Sequence, residues 1–298
     1  MDLTTILLES CLMASNQVDV VKIQNWIKED LGNGDITSNA LIPENSLAEA
    51  CIYSRENYAV VSGLTEVAAI FEAVGCRAEQ HVKDGVIVEK GEIVLTAVGK
   101  AQNILAVERT VLNIFQRMSS IATLTKHFVD EVSCINPSLK IAATRKTVPG
   151  LRVEDKKSVV HGGGDPHRYR LDDCVLIKDN HLRLVSSISE AVVRVRDSIS
   201  FTKKIEIEVQ NHEQALEAAK AGVEIIMYDN MDPKEIKSSL TSLNSAGLRE
   251  GRLFEASGGV NRENIKEYAS TGVDIISLGF LTHSVQGLDV KLDLELII

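Results

Sequence analysis

IEIEVQNHEQALEAAKAGVEIIMYD, residues 205–229, holds the unit on which the fold turns. Ile205–Val209 reads as a short strand. His212 to Ala221 reads as a helix that stops at Gly222, and Ile225–Tyr228 reads as the next strand. Two strands separated by a helix become parallel neighbours, because a parallel partner needs a crossover connection. The unit recurs on both sides. Lys140–Ala143, Cys174–Ile177, Leu253–Ala256 and Asp274–Leu278 are further strand candidates. Asp232-Pro233-Lys234-Glu235 supplies a cap, a proline for the first helical position and a capping-box acid. Asn261 to Thr271 reads as a helix ending at Gly272.

Polar residues gather at one place in these units. Thr144, Arg145 and Lys146 follow the first strand, and Lys178, Asp179, Asn180 and His181 follow the second. Glu208 lies near the end of the third, Asp229 follows the fourth, Ser257-Gly258-Gly259 the fifth and Gly279 the sixth. The spacings from Lys178 onward are 30, 21, 28 and 22 residues, each the length of one strand–helix unit. Functional side chains at strand C-termini belong to a (β/α) barrel or a doubly wound sheet. A dinucleotide-binding sheet would carry GxGxxG after its first strand, and Gly162-Gly163-Gly164 runs into Asp-Pro-His instead, so the barrel is the expected fold.

The first third is organised differently. Val67, Ile70, Phe71 and Val74 mark a helix with one buried stripe that stops at Gly75. VKDGVIVEKGEIVLTAVG (82–99) reads as strands joined by tight turns, with Lys90 at one of the turns. Ile104, Val107, Val111, Ile114, Met118 and Ile121 predict a long helix connecting the two parts.

Composition sets the bounds. Among 298 residues, 44% are hydrophobic and 25% charged, proportions of a globular protein that exclude a disordered or collagen-like chain. The net charge of −10 argues against a general nucleic-acid binder, and no apolar run reaches the ~18 residues of a membrane span. The first 24 residues carry Asp2 and Glu9 before any Lys or Arg, unlike a secretory signal, so the expected location is cytoplasmic. Cys11, Cys51, Cys76, Cys134 and Cys174 are scattered and odd in number, as buried free thiols would be.

Charge is concentrated where the strand ends gather. Residues 140–183 hold ten Lys/Arg and six Asp/Glu, a local +4, so the rest of the chain sums to −14. An acidic protein that collects cations in one segment is suited to a small anion there. Arg145 and Arg168 can grip carboxylates in bidentate fashion, while Lys146 and Lys178 act as point charges. Glu208 and Asp229 can hold Mg²⁺ or stabilise a developing cation; as strand-end caps or ion-pair partners they would do neither. The glycines after the last two strands let backbone N–H groups approach a phosphate. The set suits a phosphorylated and a carboxylated reactant with a metal.

ATRKTVPGLR (143–152), GGGDPHR (162–168), LIKDNH (176–181), EIEVQN (206–211), DNM (229–231), EASGGV (255–260) and ISLGFLTHS (276–284) resemble the quinolinate phosphoribosyltransferase family, as do GDIT (34–37) and ERT (108–110). The likeness runs from about residue 22 to about 290. It implies a glycosyltransferase of NAD biosynthesis that transfers phosphoribose from 5-phosphoribosyl-1-pyrophosphate to quinolinate. Nicotinate mononucleotide, pyrophosphate and CO₂ are the products, with Mg²⁺ as cofactor. It also implies an N-terminal α/β sandwich domain at 1–112, an incomplete (β/α) barrel at 113–283, and a segment 284–298 returning to the N-terminal domain. The working unit would be a homodimer, with no nucleic-acid or membrane partner. Carried over by motif, Arg109, Arg145, His167, Arg168 and Lys178 would hold the quinolinate carboxylates, with Arg109 reaching the neighbouring subunit's site. Lys146 and Lys178 would meet the sugar-phosphate donor beside Thr144, and Glu208 and Asp229 the ribose hydroxyls and metal. Ser257, Gly258, Gly259 and Gly279, with Leu278 and Phe280 flanking it, would cradle the 5-phosphate. Lys146, Lys178, Glu208 and Asp229 would be the catalytic set.

Three alternatives stand beside this reading. Pro166 before His167 also occurs in a related branch linked to molybdate uptake, though that branch does not usually keep the Lys-Asp-Asn-His run found at 178–181. An aldolase-like barrel would form a Schiff base on Lys178. A carrier module would bear a modified Lys90.

Overall fold

A computed structural model of the chain describes residues 18–297. Cys11 and most of the N-terminal stretch just discussed lie outside them. Asp19 caps α1 (Val20–Leu31), accepting from the amides of Val21 and Lys22 at 3.0 and 3.2 Å. Asp35, from the GDIT stretch, caps α2 (Ile36–Leu41) by accepting from the Thr37 and Ser38 amides at 3.0 Å. β1 (Leu47–Ser54) buries Ala48, Ala50 and Ile52 in strict alternation, the signature of a sheet with one covered face. It sits between β5 (Ile93–Lys100) and β12 (Val290–Ile297), and β3 (Arg77–Gln80) adds to β5, all antiparallel. α3 (Leu64–Ala73) packs on β3 and β5 through the expected stripe of Val67, Ile70 and Phe71, and the chain leaves it at Gly75, whose φ is +81°.

The 82–99 stretch departs from expectation. Tight turns do form, with Val86 N donating to Lys83 O and Glu92 N to Glu89 O. The strands they connect do not pair with one another: β4 (Ile87–Val88) pairs with β2 (Ala59–Val60), and β5 pairs with β1 and β3. Two residues of β4 are too few to compete for β5 against an eight-residue partner.

α4 (Ala101–Ser133) buries the predicted stripe from Ile104 to Ile121. Each large aliphatic side chain so buried contributes about 1.5–3 kcal/mol. The helix runs on to Ser133, farther than the stripe alone required. The described residues up to Thr123, with those from Gln286 onward, form one compact unit, and Leu124–Val285 form the second.

In the second unit β6 (Lys140–Ala142), β7 (Val175–Ile177), β8 (Ile205–Val209), β9 (Ile225–Asp229), β10 (Leu253–Ser257) and β11 (Ile275–Ser277) make one parallel sheet in the order β6-β11-β10-β9-β8-β7. β7 to β11 lie side by side in chain order, and β6 joins β11 rather than β7. This is the order of a barrel left open between its first two strands. The loop after α5 (Arg152–His161) occupies the free edge of β6: Asp165 N donates to Ile141 O at 2.8 Å, and Ala143 N to Asp165 O at 2.9 Å.

The crossovers between β7 and β11 are α6 (Asp179–Leu182), α7 (Ile188–Ser198), α8 (His212–Lys220), α9 (Pro233–Ser245) and α10 (Ile265–Ala269), and α11 (Phe280–His283) follows β11. Asn211 caps α8 and Asp232 caps α9. α10 is shorter than the predicted 261–271. Asn261 accepts from the amides of Glu263 and Asn264, and Asn264 accepts from Asn261, so the first residues form a side-chain-closed turn instead of helix.

Gly164 fixes the loop that fills the open edge. A Cβ there would stand 2.7 Å from Thr125 Cγ2, 2.8 Å from Val159 Cγ1 and 3.1 Å from the Ile141 carbonyl. Gly164→Ala should therefore destabilise the protein by about 1–3 kcal/mol, the usual cost of overpacking. A chemical-denaturation midpoint unchanged from wild type would refute this.

Cys51, Cys76, Cys134 and Cys174 are free thiols, as expected, yet only Cys76 is buried and Cys134 is exposed. No described helix is long and apolar enough to cross a membrane.

Candidate active site

Parallel strands all point the same way, so whatever follows each strand collects at one mouth. A cavity of about 540 Å³ opens there. It is lined by Thr144, Arg145 and Lys146 after β6, by His167 and Arg168 from the edge-filling loop, and by Lys178 after β7. Glu208, Asp229, Ser257, Gly258 and Gly259 line it as well, whereas Gly279, expected beside them, does not.

The cations face one another. Arg145 is pushed below its usual range by burial and by the neighbouring Arg168 and Arg152, and its buried Nε has no hydrogen-bond partner among the described residues. Guanidinium groups that repel each other are ready to receive an anion of more than one charge. Arg168 is 9% exposed, with Nη1 donating to Cys174 O at 2.9 Å.

Lys178 Nζ donates to Glu208 Oε1. A Schiff base on Lys178 would have to break that ion pair. The turn carrying Lys178 is closed by His181, whose Nδ1 accepts from the Lys178 amide at 2.9 Å. The histidine of the KDNH run is thus a cap.

Asp229 Oδ1 accepts from Asn230 Nδ2 at 2.9 Å. One oxygen each of Glu208 and Asp229, at the ends of adjacent strands, has no hydrogen-bond partner among the described residues. Two carboxylates with free oxygens, beside a cavity that could supply phosphate oxygens, are a donor set that fits Mg²⁺.

Gly258 is at φ +80°, and a Cβ on it would fall 2.4 Å from Asn230 Oδ1. Asn230 itself is left-handed at φ 55°, with its amide donating to Ser257 O. The two loops are interlocked. Gly279 makes room for Lys146 and His283, since a Cβ there would lie 3.0 Å from Lys146 Cδ and 3.2 Å from His283 Cδ2.

Some expected residues stand elsewhere. Leu278 is buried in the core with its amide donated to Ala142 O, and Phe280 stacks edge-on against Phe128 at 5.2 Å; neither lines the cavity. The reason is that β11 ends at Ser277, and Ser277 is the residue that faces inward. Arg109 is exposed on α4 in the other unit. Lys90 lies in a turn of that unit as well.

Leu176, Met227, Asn230, Glu255 and Ser277 line the cavity without having been singled out. For Glu255, and for the wholly buried Glu206, the signal was available. In a strand, residues two apart share a face, so Glu206 follows Glu208 inward and Glu255 follows Ser257.

The model of the quinolinate phosphoribosyl transferase N-terminal domain matches residues 35–119, and that of the C-terminal domain residues 121–293. A probable nicotinate-nucleotide pyrophosphorylase [carboxylating] of Methanothermobacter thermautotrophicus is 46% identical over 273 residues, 92% of this chain and 98% of that protein. The protein of the same name in Bacillus subtilis is 38% identical, covering 94% and 95%. The crystal structure of the nicotinate-nucleotide pyrophosphorylase of Ehrlichia chaffeensis superposes with a TM-score of 0.83 at 41% identity, covering 92% of this chain and 97% of that one. Both domains match in order and the cations meet at one barrel mouth: the chain belongs to the quinolinate phosphoribosyltransferase family.

Proposed function

We infer that the protein transfers phosphoribose from 5-phosphoribosyl-1-pyrophosphate to quinolinate and decarboxylates the product, giving nicotinate mononucleotide, pyrophosphate and CO₂ for NAD biosynthesis. The observation that carries this reading is the pairing, in one cavity, of clustered guanidinium groups with two carboxylates and a glycine loop. Arg145, Arg168 and Lys178 hold the two carboxylates of quinolinate. Ser257, Gly258, Gly259 and the Gly279 turn receive the 5-phosphate. Lys146 meets the donor beside Thr144.

As the bond from the anomeric carbon to pyrophosphate breaks, positive character develops on the ribose, and Glu208 and Asp229 stabilise it. The pyridine nitrogen forms the new bond to that carbon and becomes cationic. The ring then accepts the electron pair of the adjacent C–CO₂ bond, so CO₂ departs and a proton takes its place without a covalent enzyme intermediate. Mg²⁺, held by Glu208 and Asp229, would neutralise the pyrophosphate charge. Most of the rate enhancement comes from positioning and charge neutralisation. We place this chemistry in the cytoplasm.

The test is an assay of the purified protein with quinolinate, phosphoribosyl pyrophosphate and Mg²⁺, following nicotinate mononucleotide and CO₂. They should appear in equal amounts and stop on chelation. Turnover of nicotinate with none of quinolinate would overturn the reading.

We also propose a homodimer in which Arg109 serves the partner's barrel. Mixing the inactive variants Arg109→Ala and Lys178→Ala tests it. Half of the dimers are mixed, and half of their sites carry neither lesion, so roughly a quarter of wild-type activity should return. Background activity despite subunit exchange seen by native mass spectrometry would place Arg109 in its own chain's site or outside the site altogether.

A further inference from the structure

A TIM-like barrel normally fills its interior with layers of bulky branched side chains. Here the layer beneath the site holds two acids and a histidine. Glu206 and Glu255 are wholly buried. His167 Nε2 stands 3.3 Å from Glu255 Oε2 and 3.5 Å from Glu206 Oε1. A second cavity of about 580 Å³, lined by strand N-terminal ends including Lys140, Ile225 and Leu253, meets the same layer from below. His167, Arg168 and Glu255 line both cavities, so this layer is the floor of the site.

His167 is held in an unusual backbone conformation, φ 51°, which a side chain like this adopts only where its surroundings enforce it. Asp165 Oδ1 accepts from the His167 amide at 2.8 Å, and the Arg168 amide donates to His167 Nδ1 at 2.8 Å. From the other side, buried Lys156 donates to the carbonyls of Pro166 and Arg168. The two carboxylates facing Nε2 hold a proton on it. Nε2 then points its proton at the two carboxylates. The cluster of three could otherwise hold a metal ion, but an Nε2 that carries a proton donates and does not ligate. Burial works against a charged ring, yet the two glutamates outweigh it and raise its pKa to about 10.

We propose that Glu206 and Glu255 are positioning residues for quinolinate: they tether His167 Nε2, His167 orients the Arg168 amide and side chain, and the tethered layer seals the floor of the site. This rests on the functional reading above.

Glu255→Gln keeps the side-chain volume and removes the charge. Quinolinate KM should rise about tenfold, with kcat and the donor KM changed by no more than about twofold, the scale of one hydrogen bond to a charged group. His167→Asn keeps a residue that tolerates the left-handed backbone, so it remains informative if Glu255→Gln fails to fold. It should give the same split, and the double variant should be no worse than the more affected single one, because Glu255 acts through His167. ¹⁵N NMR of the wild-type ring should show Nε2 protonated at neutral pH and still protonated at about pH 9. An unchanged quinolinate KM in Glu255→Gln, multiplying effects in the double variant, or an Nε2 that has lost its proton near neutral pH would each overturn the proposal. A wild-type enzyme that ignores quinolinate would instead defeat the functional reading, and the ring spectrum would still judge the triad.

Discussion

Glu208→Gln should lower kcat about 10²–10³-fold, the loss typical when one preorganised electrostatic partner of the transition state is removed. Glu208 is tied to Lys178 through one oxygen and lines the cavity together with Asp229. The amide keeps shape and can still accept a hydrogen bond from Lys178, but it has no charge to set against the cationic ribose. Effects on KM for quinolinate should be small by comparison, since the carboxylate repels rather than binds that dianion. Single-turnover formation of nicotinate mononucleotide separates the chemical step from binding. A fall in kcat of less than about fivefold would remove Glu208 from the transition-state charge balance.

Arg145→Lys should weaken quinolinate use by about 2 kcal/mol, roughly thirtyfold in KM, the lower end for losing a buried charge-assisted contact. Lysine keeps the charge but loses the planar fork that can meet a carboxylate with two parallel hydrogen bonds. The unpartnered, buried Nε of Arg145 marks a guanidinium whose donors are not spent inside the protein. Donor affinity, measured by calorimetry without quinolinate, should stay near the wild-type value. Donor binding that falls while quinolinate binding holds would move Arg145 to the other substrate.

The strand–helix units of the second half were legible because each is local. Ile205–Val209, the α8 stop at Gly222 and the Asp232 cap of α9 all follow from neighbours within a few residues. So was the site's mouth: once parallel strands are inferred, the residues after each strand must converge, and Arg145, Lys178, Glu208, Asp229 and Ser257 do so. The resemblance supplied the chemistry that convergence alone left open.

What the chain order could not reveal was pairing and depth. β4 chose β2, and β5 chose β1 and β3, because backbone pairing is settled by competition among strands far apart in sequence. Leu278 and Phe280 flank Gly279, yet one faces the core and the other stacks on Phe128. One position along a strand end reverses a side chain's direction, so adjacency in a motif does not give adjacency in a site. The His167–Glu206–Glu255 layer is the clearest case. The period of two put both acids inside the barrel. Only the loop inserted at the open edge beside β6, with its left-handed turn, brought a histidine from an unrelated stretch of chain to within hydrogen-bonding reach of them. Sequence determined which residues face inward; the tertiary structure decided which of them meet, because a buried charge finds its partner through space and not along the chain.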